Sequence, residues 1–371
     1  MRKTKCLFPD GASPEGMVSV SQLQTFMSCP QKWEYGYIDE ITPRVERPYL
    51  SVGKLCHKGM ETAMRYKWKH EREQGWCREN ALNMALLAMM DEWDEYINNT
   101  PFTNEELSEQ MQVYWDAVEV FCQAFWEFDI DKYDVVTLRG ADGDIPALEL
   151  HFLVPCPGSK GLHGYIDAIL EERSTGMVWC TDYKFRRSLS PDEEEAFNIQ
   201  NAVYQHACSR MGVNVTGTMT WQHVNTPAAK PQQLKNGKFS RAKIKTTWTE
   251  YAECVKVAGQ NPEDYREEME PKLADIEWFR ATKEYRNLET VQRMWDQVIV
   301  PASRGVHRAY KTVNPKRLYP WNCKMCQYQS LCQAELRGYD VEAIKLRDYT
   351  VRTHRKESVN KPLDTTTPSV V

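Results

Sequence analysis

The stretch from Gly161 to Arg187, GLHGYIDAILEERSTGMVWCTDYKFRR, narrows most what this chain can become. Two runs of β-favouring residues, Leu162 to Leu170 and Met177 to Phe185, flank the turn-forming Ser174-Thr175-Gly176. The pattern predicts a β-hairpin. Side chains alternate along a strand, so Asp182 and Lys184 share one face and Tyr183 takes the other. Antiparallel pairing brings Asp167 close to Asp182. Two carboxylates and an ammonium then share one patch, where a hard divalent cation such as Mg²⁺ or Mn²⁺ relieves the repulsion. Such a cation lowers the pKa of a bound water and offsets charge growing on a phosphate, while the lysine orients the water or stabilises the transition state. Taken alone, the D-x-K spacing is more often a surface hairpin with a polar wet face. The rest of the chain decides between the two.

The chain has 371 residues and a net charge of −5. That is ample for a core, and it leaves any nucleic-acid contact to local patches. No apolar stretch approaches the roughly 18–20 residues of a membrane span, so the reading is a soluble, cytoplasmic protein with no membrane partner. Twelve cysteines in such a chain point to metal or catalysis before disulfides, although the scattered ones fit as small core residues.

Residues 1–18 read as an irregular lead-in. Ser19 or Ser21 then caps a helix starting near Gln22, with Leu23, Phe26 and Met27 as its apolar face. Pro30 opens a second helix carrying Trp33, Tyr35 and Tyr37, with Lys32 nearby as a phosphate contact. A helix from about Ser51 places His57 and Glu61 on one face; a lone helical histidine is usually structural. Residues 78–98 and 103–129 form two more amphipathic helices, whose apolar stripes are core. Strands follow from about Val135. Beyond the hairpin, PDEEEAFNIQNAVYQHACSRMG predicts one helix presenting Gln200 and Tyr204 on one side, ending at Gly212, and GTMTWQHVNT predicts a strand. This order suits an α/β core with a mixed sheet. The segment from Pro227 to Trp248 carries Lys230, Lys235, Lys238, Arg241, Lys243 and Lys245 and no acid; it is either a loop touching a phosphate backbone or a solvated loop. Residues 248–312 read as mostly helical, and 336–371 as a tail whose last twenty residues are disordered.

Cys323, Cys326 and Cys332 form C-x2-C-x5-C, a spacing that lets three thiolates converge on a metal. A fourth ligand is missing locally.

In this order, the pieces resemble the RecB-type branch of the PD-(D/E)XK nucleases that carries a four-cysteine iron–sulfur cluster, similar to the AddB nuclease domain, CRISPR-associated spacer-acquisition nucleases and phage exonucleases. The resemblance rests on Ser21, Phe26, Cys29 and Pro30; on Gly53 and His57; on Gly164 to Asp167; on Asp182 and Lys184; on Gln200 and Tyr204; and on the cysteine trio. It implies a restriction-endonuclease-like core with a mixed central sheet, one nuclease domain over 19–335 with insertions at about 78–130 and 226–312, and helical ends joined by a metal cluster. It also implies that Cys29 joins Cys323, Cys326 and Cys332 around a 4Fe-4S cluster, with Zn as the competing occupant. By the same resemblance Asp167, Asp182, His57 and the carbonyl of Tyr183 hold Mg or Mn. Lys184 activates the water, Gln200 and Tyr204 hold the lysine or the DNA, and Glu61 is a weaker candidate behind the metal.

The implied activity is a metal-dependent exonuclease on single-stranded DNA or DNA ends, in recombination, repair or phage DNA metabolism. The rivals are a CRISPR-type spacer-processing nuclease and a catalytically silent DNA-binding or assembly subunit. The sequence holds no G-x-x-x-x-G-K-[ST], so any helicase or recombinase partner is a separate chain.

Overall fold

The computed structural model describes residues 17–73, 75–140, 143–310, 316–318, 323–324 and 326–351. Most of the expected lead-in and the end of the expected tail lie outside these residues. Within the lead-in, Val18–Ser19 is a short strand that pairs in parallel with Leu162 and His163. Ser19 then caps the helix Val20–Ser28 through a reciprocal bond with Gln22.

The predicted hairpin forms, with strands Leu162–Glu172 and Val178–Arg186. Its turn closes on Gly176, whose φ of +68° suits a residue without a Cβ. These strands centre a mixed sheet of seven. Leu148–Val154 and Tyr133–Val135 pair antiparallel with the first hairpin strand. Gly217–Val224 lies parallel to the second, and Phe279–Tyr285 closes that side antiparallel.

One face of the sheet packs beneath the helices Pro48–Arg72, Arg78–Asn99 and Asn104–Glu127, whose apolar stripes are core as expected. The other face carries Val20–Ser28, Ile199–Arg210 and the helical stretch after Leu288. A small separate core of Phe239, Tyr251, Val255, Tyr265, Met269 and Leu273 sits in the second insertion.

Residues 248–312 are mostly helical, as expected, and include one edge strand, Phe279–Tyr285, whose Arg280, Lys283 and Glu284 suit an edge. Two expectations change. The helix after the hairpin breaks at Phe197, because Asn198 accepts from the Gln200 N–H and starts a new helix there. Residues 336–371 are not simply a tail. Val341–Asp348 is helical, and Tyr349–Val351 pairs with Ile41–Pro43.

Candidate active site and cysteine centre

Register builds the site. Ala168 pairs with Thr181, so one step further along Asp167 faces Asp182. On the other side Leu148 pairs with Ala168 and Leu150 with Ile166, which sets Glu149 opposite Asp167. Three neighbouring strands thus line up three carboxylates. The ladder loosens at this row. Glu149 has a φ of +46°, a left-handed conformation costing a non-glycine residue roughly 1–3 kcal/mol, and such strain clusters at functional sites. Asp167 Oδ2 accepts the backbone N–H of Tyr183 at 2.9 Å.

His57 enters from the Pro48–Arg72 helix. Val52, Leu55, Cys56 and Met60 turn into the core, and His57, one position past Cys56, turns its Nδ1 to 3.5 Å from Asp167 Oδ2. Ligand atoms of His57, Glu149 and Asp167 all lie within 4.8 Å of one another, a spacing a single divalent cation spans. Sequence reasoning missed Glu149; the available signal was an acid interrupting the apolar run from Ala147 to Val154. Glu149→Gln is expected to weaken Mn²⁺ binding at least about 10-fold in DNA-free protein, read by calorimetric titration.

Asp182 and Lys184 face the Ile199–Arg210 helix. Lys184 Nζ donates to Asp182 Oδ1 at 2.6 Å and to Gln200 Oε1 at 3.2 Å. Gln200 Nε2 donates to the same Asp182 oxygen at 3.3 Å and to the Tyr204 hydroxyl at 2.6 Å. Asp182 is 1% exposed, and its Oδ2 has no hydrogen-bond partner. Burial pushes its carboxyl up to about 6; Lys184 pulls the other way, and Asp167 adds to the rise. A buried, unpartnered carboxylate oxygen beside a second acid has the chemistry of a cation ligand.

Other candidates have different work. Glu61 is held on its own helix by Arg65 at 2.8 Å and Lys58 at 3.4 Å. Trp33 and Tyr35 are core. Arg186 is bound up with Ser190, Glu195 and Gln222, while Arg187 is exposed and its carbonyl accepts Lys245 Nζ at 3.1 Å. In the basic segment, Arg241 and Lys243 pair with Glu268 and Asp275.

Far along the chain, the structure brings Cys29, Cys323, Cys326 and Cys332 around one cavity, with Lys32 and Arg317 in its wall. Lys32 therefore faces thiols, not a phosphate. Burial pushes the Cys326 thiol up, and the Tyr328 backbone and the Lys32 ammonium oppose it. Four thiols with two cations beside them form a donor set for a soft metal centre, the cations offsetting thiolate charge. No helix among the described residues is long and apolar enough to cross a membrane.

A family model of the PD-(D/E)XK nuclease superfamily matches residues 17–333. A search of the curated proteins finds no match.

Proposed function

The chain belongs to the PD-(D/E)XK nuclease superfamily, and on that premise we propose that it is a Mg²⁺- or Mn²⁺-dependent DNA exonuclease acting on single strands or ends. The observation that carries this reading is the row Glu149, Asp167, Asp182 across three strands, with Lys184 two residues on. Asp167, Asp182, Glu149 and His57 would hold the cation, with the Tyr183 carbonyl as a further ligand. The bound cation supplies Lewis acidity, lowering the pKa of a water and offsetting phosphate charge.

The chain's own residues do the rest. Lys184 Nζ keeps two of its three donors on Asp182 and Gln200, which aims the third at the water or the phosphate oxygen. Gln200 fixes the ammonium, and Tyr204 fixes Gln200. Asp182 and Gln200 orient the Lys184 ammonium, so the lysine serves as a hydrogen-bond donor and a positive charge at the developing phosphorane. The products are a 5′-phosphate and a 3′-hydroxyl.

The four cysteines hold a 4Fe-4S cluster in this reading. A single Zn²⁺ is the competing occupant of the same four thiolates. The role is structural, joining the N-terminal helices to the C-terminal segment. Recombination, repair or phage DNA metabolism suits such an enzyme, with any helicase or recombinase as a separate partner.

The test is oxygen-free purification and incubation with end-labelled single- and double-stranded DNA with Mn²⁺ or Mg²⁺. Lys184→Ala is expected to lower the cleavage rate about 10²–10³-fold, as loss of one transition-state donor does elsewhere. Wild type that is folded, metal-loaded and inert on every DNA form would sink the enzyme reading. Release of internal fragments before end label would replace exonuclease with endonuclease.

A further inference from the structure

The helix Val20–Ser28 runs between the two centres. Cys29 follows it directly, its backbone N–H bonded to Thr25 O at 2.9 Å. On the same helix Gln24 Nε2 donates to Gln200 Oε1 at 3.4 Å, the oxygen that also accepts Lys184 Nζ. The Gln200 amide is thus held at both ends: its nitrogen by Asp182 and Tyr204, its oxygen by Gln24 and the lysine. The helix is pinned at its start by the Val18–Ser19 strand and in its first turn by Gln22, whose Nε2 donates to the Tyr310 hydroxyl at 2.6 Å. At its far end Phe26 packs on the buried Trp33, and Cys29, the next residue after the helix, lines the cysteine cavity.

We infer that Gln24 is a positioning residue for Lys184, acting through Gln200, and that its helix ties the placement of the lysine to whatever holds Cys29. The inference rests on the nuclease reading of Lys184. An ammonium on a four-carbon stem has no fixed direction of its own; it takes one from its acceptors. Asp182 lies beneath it on the sheet and cannot follow the helix. Gln200 Oε1 is shared with Gln24, so a shift of the Cys29 end reaches the lysine through that oxygen. Neither Gln24 nor the Cys29 end touches the carboxylate row directly, and the oxygen they share with the lysine carries the effect to the lysine first.

The test compares wild type, Gln24→Ala, Gln200→Ala, the double variant and Cys29→Ser. Steady-state cleavage of single-stranded DNA is measured, and hydrogen exchange is followed without DNA. Gln24→Ala is expected to lower kcat about 3–10-fold, with KM, Tm and iron content unchanged. The double variant should be no slower than Gln200→Ala alone, because both act through one oxygen. Exchange at residues 199–204 should rise in Gln24→Ala and in Cys29→Ser, and at 20–28 in Cys29→Ser only.

Unchanged kcat in Gln24→Ala, losses that add to those of Gln200→Ala, or unaltered exchange at 199–204 in Cys29→Ser would each overturn it. A wild type that cleaves no DNA with either cation defeats the nuclease reading instead, and the exchange measurements alone then decide whether the helix couples the two centres.

Discussion

Asp182→Asn should abolish DNA cleavage, by at least about 10³-fold, and yet raise the melting temperature of the metal-free protein at neutral pH. Both effects come from one buried carboxylate. Its folded-state value of about 6 stands above its ordinary 3.8, so the native chain holds a proton that the unfolded chain gives up between those values. Below about pH 4 both states are protonated and the residue contributes no pH dependence. Between about 4 and 6 the native state binds more protons, so stability falls as pH rises; above 6 the full cost of the buried charge is present. That cost is of the order of 2–3 kcal/mol, from a carboxyl raised from 3.8 to about 6. The amide removes the charge while its oxygen still accepts from Lys184, whose own 22% exposure lets the ammonium reach water. A gain of about 3–5 °C follows for a chain of this size. Mn²⁺ should reverse the order, raising the Tm of wild type and leaving Asp182→Asn unmoved. Calorimetry in chelator at pH 5 and pH 7.5, then with Mn²⁺, checks it. An Asn variant less stable than wild type at pH 7.5 without metal would show that Asp182 is a structural ion-pair partner instead.

The parts of this site that were legible in the sequence are those set by local periodicity. Asp182 and Lys184 fall on one face because a strand repeats every second residue, and Gln200 and Tyr204 meet because a helix nearly repeats every fourth. The hairpin turn was readable from Ser174-Thr175-Gly176. Glu149 was not, because its place depends on register with a separate strand and on a left-handed backbone that no propensity favours. The edge strand Phe279–Tyr285 was lost for a related reason: its stabilisation comes from pairing with Gly217–Val224, while its own composition is that of a solvated surface. Arg186 ends the hairpin strand, a place from which a basic side chain can reach a phosphate. Its actual partner Glu195 lies in a short helix that the sequence merges with the next. Gathering Cys29 to the C-terminal trio drew on family resemblance alone; spacing along the chain gave no reason to choose it over the other cysteines.

Cys29→Ser should strip the cysteine centre of its metal and lower the melting temperature, while Cys77→Ser, remote from that cavity, changes neither. A centre shared by Cys29 and Cys323 closes a loop of nearly 300 residues, and by analogy with disulfides such closure is worth about 5 kcal/mol at most. The full amount is not expected, because the two ends are joined a second way. Tyr35 packs on Tyr328, Tyr328 stacks on Tyr349 and donates to the Ile41 carbonyl at 2.7 Å, and Tyr349–Val351 extends Ile41–Pro43 as a two-stranded sheet. With that clip intact, the loss should be roughly 2–4 kcal/mol, or about 3–6 °C. Tyr328→Ala weakens the other clip, whose strand pairing remains, and because Tyr328 lines the cysteine cavity, metal content is measured beside Tm. Combined with Cys29→Ser it should cost more than the sum, since the two ties limit the same loop. Iron and acid-labile sulfide assays, with absorbance near ~400 nm, identify the occupant. Zinc in place of iron would replace the cluster with a simple thiolate site and keep the clip. A Cys29→Ser protein with wild-type metal content and Tm would remove Cys29 from the centre altogether, and with it the physical connection from that centre to the helix that carries Gln24.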